Sequence, residues 1–274
     1  MIDLIPAVQM FTLRDYIQTP EGFAESIRRV REEIGCDTVQ FSRVGPSIPA
    51  DFITSVVKEY GMRVCVTHSP MQRIFHDLPA LIKEHQAWGC PQVGLGNLEN
   101  CYLDDGYEGY RRFIDDIAPV VEELKKNGLT FAYHSHTFEF VQHRGRRMYD
   151  MLVEDTDPEG FHFIQDSFWM KYGGLPHEKY MEKVAGRMEV LHVKDFTPML
   201  IGPLGRVVGE TGTIGEGNIY YPPLLRTAAR TGVQVVAIEQ DRCQRDPFAC
   251  LKDAYGELKR MIAELEPEKG GEQA

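Results

Sequence analysis

Hydrophobic residues along the chain follow two alternating patterns, short apolar runs and longer stretches with apolar residues at helical spacing. Apolar and β-branched runs of four to eight residues, bounded by glycine, proline or polar residues, predict buried strands. Eight segments have a strand pattern of this kind, although the fifth is longer. They are residues 7–11, 38–41, 63–68, 92–96, 131–140, 161–166, 188–195 and 233–239.

An amphipathic stretch follows each predicted strand and predicts a helix. Thr19 and Pro20 are placed as an N-cap and a first-turn proline for the first helix, and Gly35 stops it. A glycine-rich segment, residues 196–218, follows the seventh strand, and we expect it to be a long functional loop. The predicted helices are residues 21–34, 49–60, 78–88, 107–127, 148–154, 178–185, 222–231 and 246–265.

Eight strand and helix pairs within about 265 residues predict a (β/α)₈ TIM barrel. We expect one catalytic domain over residues 1–266, followed by a polar tail over residues 267–274. The alternative is a doubly wound open sheet. That fold is disfavoured because no GxGxxG phosphate fingerprint follows the first strand.

Composition narrows the class of partner and the compartment. The net charge of −11 disfavours nucleic-acid binding, which needs a basic surface. The six cysteines form no CxxC pair, which suits a reducing environment, and no apolar run is long enough for a membrane span. We therefore expect a cytoplasmic protein with neither a nucleic-acid nor a membrane partner.

The fifth predicted strand carries two histidines. A period of two places His134 and His136 on the same face of a strand. A buried pair of imidazoles needs partners for all its ring nitrogens, and burial disfavours charge on either ring. Two explanations remain open from this stretch alone, a metal ion or a pair of hydrogen-bonded core histidines.

Other predicted strands also end in polar residues, and in a barrel these ends meet at one mouth. Each has an ordinary alternative, because Asp166 could cap a helix, His192 could be a core histidine and Lys194 could form an ion pair. Two histidines with an aspartate and a glutamate suit Mn²⁺, Co²⁺, Zn²⁺ or Fe²⁺ better than Ca²⁺. The strand-end candidates are His68, His134, His136, Asp166, His192, Lys194 and Glu239.

Four segments together resemble the xylose isomerase-like sugar isomerase/epimerase superfamily, namely residues 133–140, 191–195, 215–218 and 238–241. The superfamily includes ketose 3-epimerases, inosose dehydratases, lyases on keto-glycosides and endonuclease IV. The resemblance implies one divalent ion, with Mn²⁺ first and Co²⁺, Zn²⁺, Fe²⁺ or Mg²⁺ as alternatives. The implied ligands are His134, Asp166, His192 and Glu239, with His136 as the other choice on strand five.

The resemblance also implies chemistry beside the carbonyl of a sugar or keto-sugar. Ketose epimerases have a glutamate where His134 stands, so one member of their acid/base pair is missing. We expect Glu239 to remove a proton, with His136, His68 or Lys194 acting as the acid. Glu139 is a further acid/base candidate.

The first prediction is a metal-dependent isomerase or epimerase that works through a metal-stabilised enediolate. A dehydratase or lyase on an inosose or 3-keto-glycoside, using the same metal site, is the alternative. A non-catalytic sugar-binding or partner subunit is the hypothesis from another class. A homo-oligomer is possible.

Overall fold

Eight parallel strands form the wall of a barrel in the computed structural model, which describes residues 3–143, 145–201 and 205–265. They pair in the order β3-β2-β1-β8-β7-β6-β5-β4. Between the two outer strands, the Ser69 N–H donates to the Gly94 carbonyl at 2.7 Å, so the barrel is nearly closed. The strands are β1 Ile5–Gln9, β2 Thr38–Ser42, β3 Arg63–His68, β4 Gln92–Leu95, β5 Thr130–His134, β6 Phe161–Asp166, β7 Val190–Val193 and β8 Val235–Ile238.

Helices connect the strands. In α1 the Thr19 side chain accepts the Gly22 N–H, and a π-helical turn, Val30–Ile34, extends this helix to Gly35. Gly35 has a positive φ of 81°, which glycine adopts without strain. The helices are α1 Pro20–Arg29, α2 Ala50–Glu59, α3 Met71–His76, α4 Leu78–Trp88, α5 Asn100–Leu103, α6 Gly106–Lys126, α7 Met148–Asp155, α8 Ser167–Tyr172, α9 His177–Lys183, α10 Tyr221–Thr231 and α11 Pro247–Ala263.

The two faces of the strands pack in separate apolar clusters. On β5, Phe131 and Tyr133 belong to the large cluster that includes the helices, whereas Ala132 belongs to a small cluster built mainly from strand residues. Successive side chains of a strand point to opposite faces, so the residue two positions after Ala132 shares its face. The small cluster is Ala7, Cys65, Val66, Ala132, Ile164, Val190, Val235 and Ala237.

The predicted TIM barrel is confirmed, but the prediction that residues 196–218 form a loop is wrong in one respect. It contains an antiparallel hairpin, Asp195–Ile201 with Arg206–Gly212. The fifth strand is also shorter than predicted. It ends at His134, and the chain turns into a 3₁₀ segment, Phe138–Phe140.

Three short helices, α3, α5 and α8, and a small hairpin, Gln142–His143 with Arg146–Arg147, were not expected from the sequence. None of the helices in the described ranges is long and apolar enough to cross a membrane. The predicted polar tail, residues 267–274, lies outside the described residues. The six cysteines are all free thiols.

Candidate metal centre

Four buried side chains from four consecutive strands converge at the carboxyl end of the barrel. One nitrogen or oxygen atom from each lies within 4.8 Å of the corresponding atom in the other three. These residues are His134, Asp166, His192 and Glu239, the four ligands that the family resemblance implies.

The sequence places these four side chains on one face through the strand period. Each lies two residues after a member of the small apolar cluster, namely Ala132, Ile164, Val190 and Ala237. The cluster residues fill the layer below, and the next inward position on each strand therefore carries a potential ligand.

Hydrogen bonds fix the two imidazole rings. His134 Nδ1 lies 3.1 Å from the Gly96 carbonyl, which can only accept, so Nδ1 carries the proton. His192 Nε2 lies 2.7 Å from Gln40 Oε1, where the same logic places the proton on Nε2. In the neutral rings these tautomers leave His134 Nε2 and His192 Nδ1 with free lone pairs, which is the arrangement of metal-binding histidines.

Each of the two carboxylates is held in place by hydrogen bonds to one of its oxygens. Asp166 Oδ1 accepts the N–H groups of Phe168 and Trp169, at 2.8 and 3.1 Å, and so caps α8. Glu239 Oε1 accepts the Gln9 side-chain amide at 2.9 Å. Asp166 therefore caps a helix, which was the structural explanation considered from the sequence. Its second oxygen remains available.

The four remaining atoms are His134 Nε2, Asp166 Oδ2, His192 Nδ1 and Glu239 Oε2, and each is buried without a hydrogen-bond partner. His192 Nδ1 lies 3.2 Å from Glu239 Oε2 and 3.8 Å from Asp166 Oδ2, and His134 Nε2 lies 3.6 Å from Asp166 Oδ2. Two nitrogen and two oxygen atoms at these mutual distances fit a single divalent cation.

Lys194 is the buried cation beside this group, with a side chain that is 2% exposed. Its ammonium lies 2.9 Å from Glu239 Oε2 and 3.3 Å from Asp166 Oδ2, without the angles of a hydrogen bond. It does donate hydrogen bonds to both Asp241 carboxylate oxygens, at 3.1 and 3.3 Å. Burial opposes the charge on Lys194, but the three carboxylates outweigh burial and raise its pKa above the ordinary lysine value.

Negative charge is concentrated in this cluster. Burial opposes charge on Asp166 and Glu239, yet the Lys194 ammonium holds the pKa of each carboxyl well below its usual value. At Asp241, burial raises the pKa of the carboxyl against the lowering effect of the Lys194 ammonium. Burial lowers the pKa of His192, but Asp166 and Glu239 outweigh burial and raise that pKa above the ordinary histidine value. A divalent cation would therefore meet concentrated negative charge here.

Three further side chains carry unpartnered polar atoms close to the group. Measured between ring centroids, the His68 ring lies 5.0 Å and the His136 ring 4.5 Å from the His134 ring. The Trp169 ring lies 5.2 Å from the His136 ring. The atoms without partners are His68 Nε2, His136 Nδ1 and Trp169 Nε1.

His68 and His136 therefore lie beside the four-residue group, although His136 follows the end of the strand and neither belongs to the group. Burial is the main cause that lowers the pKa of both rings well below the ordinary histidine value, and the neighbouring His134 adds to it. Both rings are therefore neutral, and each has one ring nitrogen without a proton.

Glu139 does not face the group. Its Oε1 accepts the Tyr133 hydroxyl at 2.6 Å and its Oε2 accepts the His136 backbone N–H at 2.8 Å. Tyr133 belongs to the outer apolar cluster, so Glu139 lies on the helix side of β5. Burial raises the pKa of Glu139 to about 7. Its contacts fix the loop that carries His136, and they do not support the acid/base role considered from the sequence.

Sequence reasoning missed the side chains that orient the ligands. Gln9 is the last residue of β1, and Gln40 lies inside β2. Only their positions near strand ends marked them in the sequence. It also missed Asp195, whose buried carboxylate accepts the backbone N–H groups of Phe196, Gly215, Gly217 and Ile219. These bonds hold the segment after the long hairpin against β7. The signal was present in Gly217, since a Cβ there would overlap the Asp195 carboxylate.

Comparison with known proteins agrees with this architecture. The sequence model of the family described as xylose isomerase-like TIM barrel matches residues 28–254. An inosose dehydratase of Geobacillus kaustophilus is 23% identical over 168 residues, which cover 57% of this chain and 54% of the relative. The match thus spans about half the length of that relative.

Solved structures share the fold over nearly the whole chain. A sugar phosphate isomerase/epimerase from Parabacteroides distasonis superposes with a TM-score of 0.74 at 17% identity, covering 94% of this chain and 98% of the other. The IolI protein, in a structure with a bound zinc atom, has a TM-score of 0.68 at 12% identity and covers 96% and 99%. At these identities the likeness concerns the fold.

Proposed function

This chain belongs to the xylose isomerase-like TIM barrel family, and we propose that it is a divalent-metal-dependent dehydratase or lyase acting on a keto-sugar such as an inosose. The proposed catalytic domain covers residues 1–266. Mn²⁺ is the first candidate for the ion, with Co²⁺, Zn²⁺, Fe²⁺ and Mg²⁺ as alternatives.

The ligand set proposed for the ion is the four-residue group at the ends of β5 to β8. The observation that carries this part is the convergence of four buried, unpartnered lone-pair atoms, one from each residue. A divalent ion held there would act as a Lewis acid toward a substrate carbonyl and acidify the adjacent C–H. All further steps fall to side chains of this chain.

The acid and base groups that face the site are unequal, and this inequality favours elimination. Lys194 is held protonated by three carboxylates, whereas His68 and His136 are held neutral by burial. Reversible epimerisation needs a group on each substrate face that can both take and give a proton. An elimination needs one base and one acid, which is the set that these residues provide.

In the proposed step a neutral imidazole, His136 or His68, takes the proton on the carbon beside the carbonyl. The electrons of the C–H bond form a C=C bond, and the C–O bond at the β-carbon breaks. Lys194 gives its proton to the departing hydroxyl, which leaves as water. The imidazolium then releases its proton to solvent, and the Lys194 amine takes one up, so both groups return to their starting states. Glu239, predicted as the base from the sequence, is the alternative proton acceptor.

A sugar isomerase or epimerase remains the second candidate. The likeness to a solved sugar phosphate isomerase/epimerase supports it. In that case Lys194 must return a proton to carbon instead of oxygen, and the oxygen count of the substrate stays unchanged.

The test is incubation of the ion-loaded protein with a panel of inososes, 3-keto-glycosides and ketoses in D₂O, followed by NMR and mass spectrometry. Loss of water or an aglycone supports the proposal. Deuterium beside the carbonyl without loss of oxygen supports the isomerase or epimerase instead. Neither outcome with any substrate, in a protein that also binds no divalent ion, would favour a sugar-binding or partner subunit.

A further inference from the structure

Lys194 contacts two kinds of carboxylate oxygen. Asp166 Oδ2 and Glu239 Oε2, at 3.3 and 2.9 Å, are two of the four atoms that face the proposed ion position. The Asp241 oxygens lie outside that group, and they alone among the three carboxylates receive hydrogen bonds from the ammonium. One cation thus contacts both the ligands and a carboxylate beside them.

A second positive charge at the group cannot share the same oxygens without cost. Two cations in contact with one carboxylate repel each other strongly in a buried site, where solvent screening is weak. The Lys194 side chain is 2% exposed, so water does not replace the carboxylates around it. When an ion binds to Asp166 and Glu239, the ammonium therefore needs another anionic partner.

Asp241 is already in position to be that partner. The backbone of Lys194 is fixed on both sides, since its N–H donates to Ser167 Oγ and the Ser167 hydroxyl donates to its carbonyl, each at 2.9 Å. Only the side chain is free to adjust, and its hydrogen bonds to Asp241 are formed before any ion arrives. No new contact has to be built.

We propose that Lys194 neutralises the ligand carboxylates when no ion is bound, and that Asp241 holds the ammonium when a divalent cation takes its place. This inference rests on the proposed metal site. Asp241 is then a positioning residue that determines ion affinity without being a ligand. Lys194 competes with the ion, and Asp241 weakens that competition.

The proposal is tested by calorimetric titration of Mn²⁺ and Zn²⁺ into the metal-free full-length protein. We compare wild type with Asp241→Asn, Lys194→Met and the double variant. Asp115→Asn is the matched control, because it removes the same charge from an exposed position on α6. Melting temperatures are measured with EDTA and with each ion.

We expect Asp241→Asn to bind the ion about tenfold more weakly and Lys194→Met about tenfold more tightly. A tenfold change in affinity lies within the range of interaction energies between residues in contact. The double variant should resemble Lys194→Met, because Asp241 acts through Lys194. The ion should raise the melting temperature of Lys194→Met by more than that of wild type, since its carboxylates lack a cation in EDTA.

An affinity of Asp241→Asn equal to that of Asp115→Asn would overturn the proposal, as would an equal loss in the presence and absence of Lys194. Weaker binding by Lys194→Met would also contradict it. If Lys194→Met does not fold in EDTA, Lys194→Gln replaces it, and the Asp241→Asn comparison decides by itself. Failure of wild type to bind any ion would instead contradict the proposed function.

Discussion

The two ends of the barrel carry similar residues in opposite states. At the amino-terminal end, His162 Nδ1 lies 2.9 Å from Glu189, and the Gln92 amide donates to Glu189 at 2.7 Å and to Thr130 at 3.0 Å. These polar groups pair with one another. At the carboxyl-terminal end, the same strands place His134, Asp166 and His192 with one unpartnered atom each.

The difference separates structural from functional polar clusters. In a network whose donors and acceptors are all satisfied, the hydrogen bonds offset the cost of burying the polar groups, and no ligand is needed. A cluster whose ring tautomers and carboxylate oxygens are fixed on one side and free on the other is organised for something else to bind. Residue type alone, a histidine with carboxylates, does not distinguish the two ends.

The largest effect that tests this contrast is expected for Asp166→Asn. The amide cannot replace a charged ligand, so we expect ion affinity to fall more than about 100-fold and turnover to be lost with it. His162→Gln is the matched control, because it changes a residue on the same strand at the other end. Elemental analysis after dialysis measures the ion content of both variants, and equal ion contents would contradict the contrast.

Lys194→Met should separate ion binding from chemistry at the carboxyl-terminal end. Loss of the proton donor should reduce kcat by about 100- to 10,000-fold, while the variant still retains its ion. Steady-state kinetics on the substrate found in the panel, together with ion content, provides the measurement. A variant with near wild-type kcat would remove Lys194 from the proposed step.

The opposite end is tested by Glu189→Gln. This change removes the anionic acceptor of His162 and Gln92, so we expect the free energy of unfolding to fall by about 1–3 kcal/mol. Urea denaturation measures that loss. Ion content and kcat should match those of wild type, and a loss of either would show that the two ends are not independent.

The smallest effect concerns Glu139, a buried carboxylate near the mouth that has a structural role. Burial raises its pKa from an ordinary 4.5 to about 7. A raised folded-state pKa favours folding most below the ordinary value, and this contribution is lost as pH rises toward 7. Glu139→Gln should flatten that decline in unfolding free energy between about pH 4.5 and 7. An unchanged slope would contradict this role.

Strand-end residues made much of the site predictable. The position at strand ends placed Asp166, His192 and Glu239 among the candidates, because barrel strands deliver these positions to one mouth. The family resemblance then selected them as the implied ligands. The period of two failed at His136. A strand pattern contains no signal for where the chain leaves the sheet, and here it leaves after His134 to form the loop fixed by Glu139.

Long-range contacts account for most of what the sequence could not predict. Gln9 and Gln40 orient ligands from strands far away in sequence, with separations of 230 and 152 residues to their partners. The long hairpin could have been predicted from its runs of β-branched and apolar residues around Val207 and Val208. The abundance of glycine favoured a loop instead.

The central claim is that one divalent ion binds where the four unpartnered atoms meet. X-ray absorption at the metal edge of the zinc- or manganese-loaded protein tests it most directly, because the spectrum counts imidazole ligands. We predict one ion per chain with two imidazole nitrogens and carboxylate oxygens as ligands, and the signal of one imidazole lost in His192→Ala but not in His162→Ala. No saturable ion, or a spectrum unchanged by His192→Ala, would contradict it.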